Sequence, residues 1–275
     1  MSVQAKKSGS TFKDLFQSVF AIGAILIAFI VSYLIWKLIM GADINFEGNN
    51  PEGHPKPGNY LAMIYKGGVI VPLLMTCLLT LITFSLERFI SLARAQGKGR
   101  VNKFVKNIQN LLAEDKVEEA IEVCNKQRGS LANVIQAGLL RYRVLQNDTT
   151  LANDQKVLSL QKELEEAAAL EMPMLSKNLV ILSTLASISV LIGLIGTVLG
   201  MIKAFAALAK AGAPDALALA TGISEALINT AFGITASTLA IILYNYFQSK
   251  IDGITYKIDE ASFSVTQSFA ASLKK

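Results

Sequence analysis

Four long stretches of the chain carry no charged residue, and they restrict its fold more than any other feature. They are Leu15–Trp36 with 22 residues, Gly67–Leu86 with 20, Leu179–Ile202 with 24 and Ala226–Ser249 with 24. An α-helix rises 1.5 Å per residue, so roughly 20 apolar residues cross a hydrocarbon core of about 30 Å. Apolar residues make up 52% of the chain and charged residues 17%, which is too apolar for an ordinary soluble protein. The sequence therefore predicts an all-α membrane protein with four transmembrane helices.

The first uncharged stretch follows Lys6, Lys7 and Lys13, an arrangement that signal peptides share. Its apolar length exceeds the roughly 7–15 residues of a signal peptide core, and no small-x-small cleavage motif follows Trp36. The sequence therefore predicts a retained membrane helix at this position.

Lysine and arginine are distributed unevenly between the connecting segments, and this distribution predicts the orientation. The first 15 residues contain three lysines, segment 88–177 contains fourteen Lys or Arg, and the tail after Ser249 contains four. Segment 41–66 contains only Lys56 and Lys66, and the 209–216 turn contains only Lys210. Both termini and the large insert are therefore expected in the cytoplasm. The net charge of +5 follows from this bias, so it requires no nucleic-acid partner.

The segments between the apolar stretches differ in character. Segment 41–66 is rich in Pro and Gly, which predicts an external loop with little regular structure. The insert has apolar residues at helical spacing, and its last pattern continues into the third span as a helix of about 55 residues. The tail is expected to extend the fourth span. The predicted order begins with a cytoplasmic amino terminus at 1–15, an accessory membrane helix at 16–40 and a periplasmic loop at 41–66. A membrane helix at 67–91 then leads into a cytoplasmic helical domain at 92–178. The chain ends with a membrane helix at 179–208, a periplasmic turn at 209–216, a membrane helix at 217–247 and a cytoplasmic tail at 248–275.

No pattern in the chain indicates an enzyme. Cys77 and Cys124 are expected to be separate reduced thiols, one in a span and one in the insert. The single histidine, His54, has no Cys or His cluster around it in sequence, so no metal site is expected. The chain contains neither a G-x-x-x-x-G-K-[ST] phosphate loop nor a nucleophile paired with a base. We therefore predict no catalytic residue and no cofactor, and an ion gradient is the expected source of energy.

Glu225 stands out because an ionisable group inside a membrane span costs roughly 2.5–3.5 kcal/mol to insert and tends to be functional. It lies about 12 Å into the fourth span, too deep for helix capping, whereas Asp215 in the external turn is expected to cap that helix. Two interpretations remain open here. Glu225 either forms a structural salt bridge, with Lys203 as the nearest basic residue in sequence, or belongs to an ion path. The second interpretation expects Glu225 to be screened from lipid and to face the interior of an assembly.

Small residues share one side of each of the last two spans when the helices are drawn at 100° per residue. Such stripes let membrane helices approach closely, and packing alone is their ordinary explanation. We assign helix packing to the glycines of these stripes, Gly193, Gly196, Gly200, Gly222 and Gly233.

Hydroxyl groups and a carboxylate on the same faces favour an ion path over packing alone. Thr197 and Thr230 fall at similar depth, roughly 18–20 Å from the external end of their helices. A monomer with two half-polar helices would leave a polar face in lipid, so a closed ring of subunits is expected. The additional candidates for lining the path are Ser189, Asn229 and Ser237.

Three segments of the chain resemble signatures of the MotA/TolQ/ExbB proton-channel family. The first is GLIGTVLGMI at 193–202, and the second is GISEAL at 222–227, which Thr230 and Gly233 follow. The third, GVIVP at 68–72 running into ERFI at 87–90, is similar to the first core span of ExbB-type proteins. The resemblance covers about 67–250.

The resemblance implies an assembly and a mechanism. Family members form a ring of subunits, five in the best-known cases, around two single-span partner helices of the ExbD, TolR or MotB type. Thr197 and Thr230 would line the pore and face an aspartate of the partner, and Glu225 would be the pore glutamate. Proton flow would drive movement that is passed to the envelope or to a TonB-like protein. The expected location is the bacterial inner membrane, in contact with membrane lipid.

Glu225 favours the ExbB/TolQ branch of the family, because MotA-type subunits lack an acid at this position. Two departures stand against an ExbB-like assignment: Val190 replaces a proline that the family usually has, and the extra first span gives a MotA-like topology. The alternatives are a TolQ- or MotA-like motor subunit with another client, or a non-conducting membrane scaffold. The first span is expected to be an accessory, and the second mainly a lipid-facing brace.

Overall fold

A computed structural model describes residues 22–51, 53–209 and 215–273. These residues confirm the prediction of an all-α, multi-pass membrane protein, since four of the helices are long and apolar enough to cross a membrane. Residues 1–21, which include the expected cytoplasmic amino terminus, and 210–214, the centre of the expected external turn, lie outside the described residues. The helices are α1 (Ile22–Met40), α2 (Tyr60–Tyr65), α3 (Ile70–Ala95), α4 (Val101–Ala113), α5 (Val117–Gln127), α6 (Ser130–Gln146), α7 (Asn153–Ser176), α8 (Leu179–Leu208) and α9 (Ala216–Ser272).

The first of two compact units contains the described residues up to Ser85 together with Ile181–Leu243. Within it α3 is the most buried of the membrane helices, and Val71, Leu74 and Leu81 have almost no exposed surface. The expectation that this span is mainly a lipid-facing brace is therefore wrong. An apolar side chain suits a lipid neighbour and a protein neighbour equally well, so composition alone does not distinguish the two. By contrast, α1 is the least buried of the four.

The connection between α1 and α3 is more ordered than its composition predicts. It contains two short 3₁₀ turns, Asp43–Asn45 and Glu47–Asn49, and the helix α2. Phe46 is fully buried, and the ring of Tyr65 stacks on Trp36 with a centroid separation of 4.8 Å. The aromatic side chains give this Pro- and Gly-rich segment a small core of its own.

The second compact unit contains Leu86–Val180 and the chain from Tyr244 onward. Each of α4 and α5 buries one apolar stripe, as the helical spacing predicts. The sequence did not separate α6 from its neighbours. That helix begins after Arg128 and Gly129, which both have positive φ values of 56° and 90° and so turn the chain sharply.

The prediction that the tail extends the fourth span is confirmed, since α9 continues without a break to Ser272. The part of α9 that belongs to the second unit packs one face into the core of that unit. The ring of Phe269 lies 4.5 Å from that of Tyr142 in α6, and the Tyr142 hydroxyl bonds Ser272 at 3.1 Å. The buried residues of this part of α9 recur at helical spacing: Phe247, Ile251, Ile254, Ile258, Ala261, Val265 and Phe269.

The predicted helix of about 55 residues is interrupted at Lys177 and Asn178. Asn178 has a φ of 60°, a left-handed conformation that asparagine tolerates better than most residues. Its side-chain amide donates to Glu87 at 3.1 Å, and Glu87 pairs with the buried Arg88 at 2.6 Å. Arg88 also donates to the carbonyl oxygen of Leu175. The charged pair at the end of α3 therefore stabilises the break between α7 and α8.

Candidate functional site

Glu225 lies on the buried side of α9, and only 4% of its surface is exposed. The ammonium group of Lys203, on α8, donates to both carboxylate oxygens at 2.7 and 2.8 Å. The expectation that Glu225 is screened from lipid is confirmed for the single subunit. Its predicted orientation toward the interior of a ring stays a prediction. The salt bridge that the sequence left open as an alternative is present.

The segment that leads into α3 contacts the same carboxylate through its backbone. Gly68 has a φ of 74°, and a Cβ at this position would collide with the Glu225 carboxylate. The adjacent carbonyl oxygen of Gly67 accepts a hydrogen bond of 2.9 Å from the side-chain amide of Asn229, which is fully buried. Sequence reasoning missed this contact. The Gly67-Gly68 pair before an apolar run was its signal, because paired glycines often mark a close backbone approach.

Thr197 of α8 and Thr230 of α9 bond each other through their hydroxyl groups. Each hydroxyl also lies within bonding distance of the Ala226 carbonyl oxygen, at 3.4 and 3.1 Å respectively. Ala226 follows Glu225 directly, so the threonine pair lies about one helical turn from the ion pair. The two threonines that the sequence placed at similar depth are therefore neighbours.

Glycines bring the backbones of α8 and α9 together along this site. A Cβ at Gly200 would lie 2.7 Å from the amide nitrogen of Ala226, and one at Gly222 would lie 2.7 Å from that of Ala204. Such approaches are shorter than van der Waals contact, so neither position accepts a larger side chain without moving a helix. Gly193, Gly196 and Gly233 make similarly close contacts across the two helices.

The polar faces of α8 and α9 are directed at each other within one subunit. Ser189 and Asn229 have no exposed surface and Ser237 has little, whereas Thr197 and Thr230 remain half-buried. The two helices cover Ser189, Asn229 and Ser237, whereas Thr197, Thr230 and the 58% exposed side chain of Lys203 leave a polar edge on the single subunit. The path-lining roles of Ser189, Asn229 and Ser237 stay predictions.

This arrangement places one carboxylate, one ammonium group and two hydroxyls within the membrane-spanning part of a single subunit. Ionisable groups are costly inside a membrane and tend to be functional there. Among the described residues, no three His, Cys, Asp or Glu side chains lie close enough together to hold a metal ion. Asp215 caps α9 as predicted, since its carboxylate accepts from the Ala218 amide at 3.0 Å.

A model of the MotA/TolQ/ExbB proton channel family matches residues 126–260. The matched range contains the Lys203–Glu225 ion pair and the Thr197–Thr230 pair. The chain belongs to this family. Membership confirms the resemblance that the motifs on α8 and α9 indicated, and it places both pairs in the family's shared region.

Individual relatives come from two branches of the family. Biopolymer transport protein ExbB of Pseudomonas putida is 32% identical over 158 residues, which are 58% of this chain and 47% of that protein. Tol-Pal system protein TolQ of Pseudomonas aeruginosa is 27% identical over 198 residues, 69% of this chain and 83% of that protein. TolQ of Haemophilus influenzae is 27% identical over 201 residues, 71% of this chain and 87% of that protein. The chain thus spans about half the length of the ExbB relative and most of the length of the TolQ relatives.

Proposed function

We propose that this chain is the channel subunit of a bacterial inner-membrane complex that converts proton motive force into mechanical work. In this proposal it acts with an ExbD-like single-span partner and a TonB-like protein, and it serves TonB-dependent transport across the outer membrane. The buried Glu225 carboxylate in α9 is the observation that carries the proposal. Burying an acid within a span is costly, and a role in proton conduction, which is the function of the matched family, would account for it.

Protons would pass along the part of the site that retains exposed surface. Thr197 and Thr230 lie at its edge and could order water or a partner carboxylate, while Glu225 lies behind them, paired with Lys203. A closed ring of five subunits, as in the best-known family members, would enclose the partner helices. The ring rests on the family resemblance. Both termini and the helical insert would lie in the cytoplasm, as the distribution of Lys and Arg predicts.

A TolQ-like role with the same chemistry and another client is the second candidate. The observation in its favour is coverage, since the matches extend over 83% and 87% of the two TolQ proteins but 47% of the ExbB protein. A MotA-like stator is the remaining member of this group. Complementation of bacteria that lack either ExbB or TolQ distinguishes the clients, because rescue of one strain alone identifies the system.

A non-conducting scaffold is the candidate from another class. It is favoured by the Lys203–Glu225 ion pair, which gives the acid a structural partner, and by the burial of the small-residue faces. In a scaffold the polar groups of α8 and α9 would fix the packing of the two helices, and no ion would move.

Proton flux separates the channel from the scaffold. The purified chain and its ExbD-like partner are reconstituted in vesicles that contain a pH-sensitive dye, and a potassium gradient with valinomycin sets the potential. We expect Glu225→Gln and Thr230→Val each to reduce flux at least about ten-fold, a conservative threshold against the roughly 10²–10⁴-fold contribution of a positioned proton-transfer group.

The matched control for Thr230 is Thr235→Val. Thr235 is an exposed residue of the same helix, and its hydroxyl bonds the carbonyl oxygen four residues earlier, as that of Thr230 does. Glu260→Gln removes an exposed acid from the same helix. Wild-type flux in both Glu225→Gln and Thr230→Val would exclude the channel and favour the scaffold.

A further inference from the structure

An open cleft of about 720 Å³ lies within the second unit. Its walls are the segment after α3, the first turn of α4 and one face of α9. Leu131 of α6 and Ile254 of α9 give it an apolar floor. No part of the proposed function uses this cleft.

The cleft is strongly cationic. Arg100 and Lys103 approach it from α4, and Lys250 and Lys257 approach it from α9. Among the described residues that line it there is no Asp or Glu. None of the four cations has an ion-pair partner in the part of the chain that the structure describes. Lys250 also lies over the ring of Tyr246, 5.6 Å from its centroid. Four cations without a carboxylate partner around one concave space predict a ligand with negative charge.

Some cations of the same unit have carboxylate partners. Lys126 pairs with Glu122, and Lys162 pairs with Glu166, each one helical turn away. Others, such as Lys106, have none within the described ranges, so the cleft is distinguished by four unpaired cations that line one concave space with no acid among its described lining residues.

The position of the cleft along α9 identifies where its ligand comes from. The rings of Phe89, Tyr246 and Phe247 pack together at the end of the uncharged stretch of α9, and aromatic clusters of this kind lie at the membrane–water boundary. Lys250 is four residues beyond Tyr246, about 6 Å along the helix, and Lys257 is about 16 Å along it. The headgroup layer extends roughly 5–8 Å beyond the hydrocarbon core on each side, so Lys250 lies at headgroup depth.

We propose that this cleft binds the phosphate group of an anionic phospholipid from the adjacent leaflet, which the predicted orientation makes the cytoplasmic one. Arg100 and Lys103 would contact the phosphate from the start of α4 and Lys250 from α9, while Lys257, two turns further along α9, would add positive charge at the far end of the cleft. Basic pockets beside membrane helices on the cytoplasmic side bind such headgroups through this chemistry. The proposal does not depend on whether the chain conducts protons.

The test uses the full-length chain, delipidated in a neutral detergent, with phosphatidylglycerol as the anionic probe and phosphatidylcholine as the zwitterionic one. Native mass spectrometry measures the fraction of protein with lipid bound as the lipid is titrated. We expect tighter binding of phosphatidylglycerol, weakened about 30-fold in the double variant Arg100→Gln/Lys250→Gln, since each cation near a membrane surface contributes about 1 kcal/mol.

The matched control is Lys106→Gln/Lys162→Gln, which makes the same change of net charge at exposed positions outside the cleft. Equal weakening in the control and cleft variants, or equal binding of the two lipids by the wild type, would overturn the proposal. Inorganic phosphate provides the second arm. If it saturates the lipid-free wild-type protein below about 1 mM, and the cleft variant loses this binding, the ligand is a soluble phosphate and the lipid assignment fails.

The wild-type protein offers a check that does not depend on any variant folding correctly. Raising NaCl from 0.05 to 0.5 M should weaken phosphatidylglycerol binding by at least ten-fold while leaving phosphatidylcholine binding unchanged, because salt screens exposed charges. Salt-independent binding of phosphatidylglycerol would contradict recognition by the four cations.

Discussion

The ammonium group of Lys203 lies 2.7 and 2.8 Å from the two carboxylate oxygens of Glu225, and this ion pair joins α8 to α9. Its two members differ in environment, since the Lys203 side chain is 58% exposed and the Glu225 side chain is 5% exposed. Loss of the lysine would leave a buried carboxylate without compensation. Loss of the acid would leave a lysine that can turn toward its surroundings. The two single substitutions should therefore have unequal effects.

We expect Lys203→Met to destabilise the protein more than Glu225→Gln, and the double variant to be more stable than Lys203→Met alone. An unpaired buried charge costs several kcal/mol, and the partial exposure of Lys203 reduces the effect here to about 1–2 kcal/mol. Thermal unfolding in detergent of the wild type and the three variants gives the coupling energy. Additive effects within about 0.3 kcal/mol would show that the pair contributes no coupling.

The close glycine contacts between α8 and α9 predict how Gly→Ala substitutions should change the stability of the protein. Gly200→Ala places a methyl group 2.7 Å from backbone atoms of α9, so the helices must separate, and a cost of about 1–3 kcal/mol is expected. Gly253→Ala is the matched control, because a Cβ there meets no atom within 4 Å. Alanine in an open helical position should stabilise by up to about 1 kcal/mol. The melting temperatures should therefore move in opposite directions, and a fall of equal size in both would contradict the packing.

The sequence was sufficient to locate the spans and the buried acid, because both depend on the cost of placing charge in lipid. The periodicity of α8 and α9 also identified the correct small and polar faces. What faces them could not be predicted, since a stripe such as Gly193 to Gly200 suits a partner helix, a pore or a neighbour in the same chain. The structure assigns most of this stripe to the contact between α8 and α9.

The role of α3 and the break after α7 were also beyond sequence reasoning. The carbonyl oxygen of Gly67 acquires its importance from a hydrogen bond to Asn229, 162 positions away in the chain. The break depends on a left-handed Asn178 held by Glu87, and no glycine or proline marks it. Both features arise from tertiary contacts, which override the local preference of each segment.

Burial raises the pKa of the Cys124 thiol to about 12, because the ionised form would lose its hydration on the buried side of α5. The folded-state pKa lies above the unfolded value of about 8.5, so the stability it contributes is fully present below pH 8.5 and is lost as the pH rises toward 12. At pH 8 we expect alkylation by iodoacetamide to be at least about 10³-fold slower than for an exposed thiol.

Peptide mass spectrometry of the labelled protein measures the rate for Cys124. The control is Lys126→Cys, which places a thiol at an exposed position two residues along the same helix. Unfolding in detergent should make the two rates similar. Rates within a factor of ten in the folded protein would show that Cys124 is accessible.

The contact between α9 and the insert predicts that the carboxyl-terminal part of α9 stabilises the second unit. Phe269 is fully buried against Tyr142, whereas Phe263 on the same helix is 66% exposed. Phe269→Ala should cost about 3–5 kcal/mol through the cavity it leaves, and Phe263→Ala should stay within about 0.5 kcal/mol. Tyr142→Phe removes only the hydroxyl bond to Ser272 and should cost about 0.5–1.5 kcal/mol.

Hydrogen exchange of α6 measures the effect locally, because the amides around Tyr142 should lose protection in Phe269→Ala and keep it in Phe263→Ala. Equal protection of α6 in these two variants would mean that the end of α9 does not support the insert.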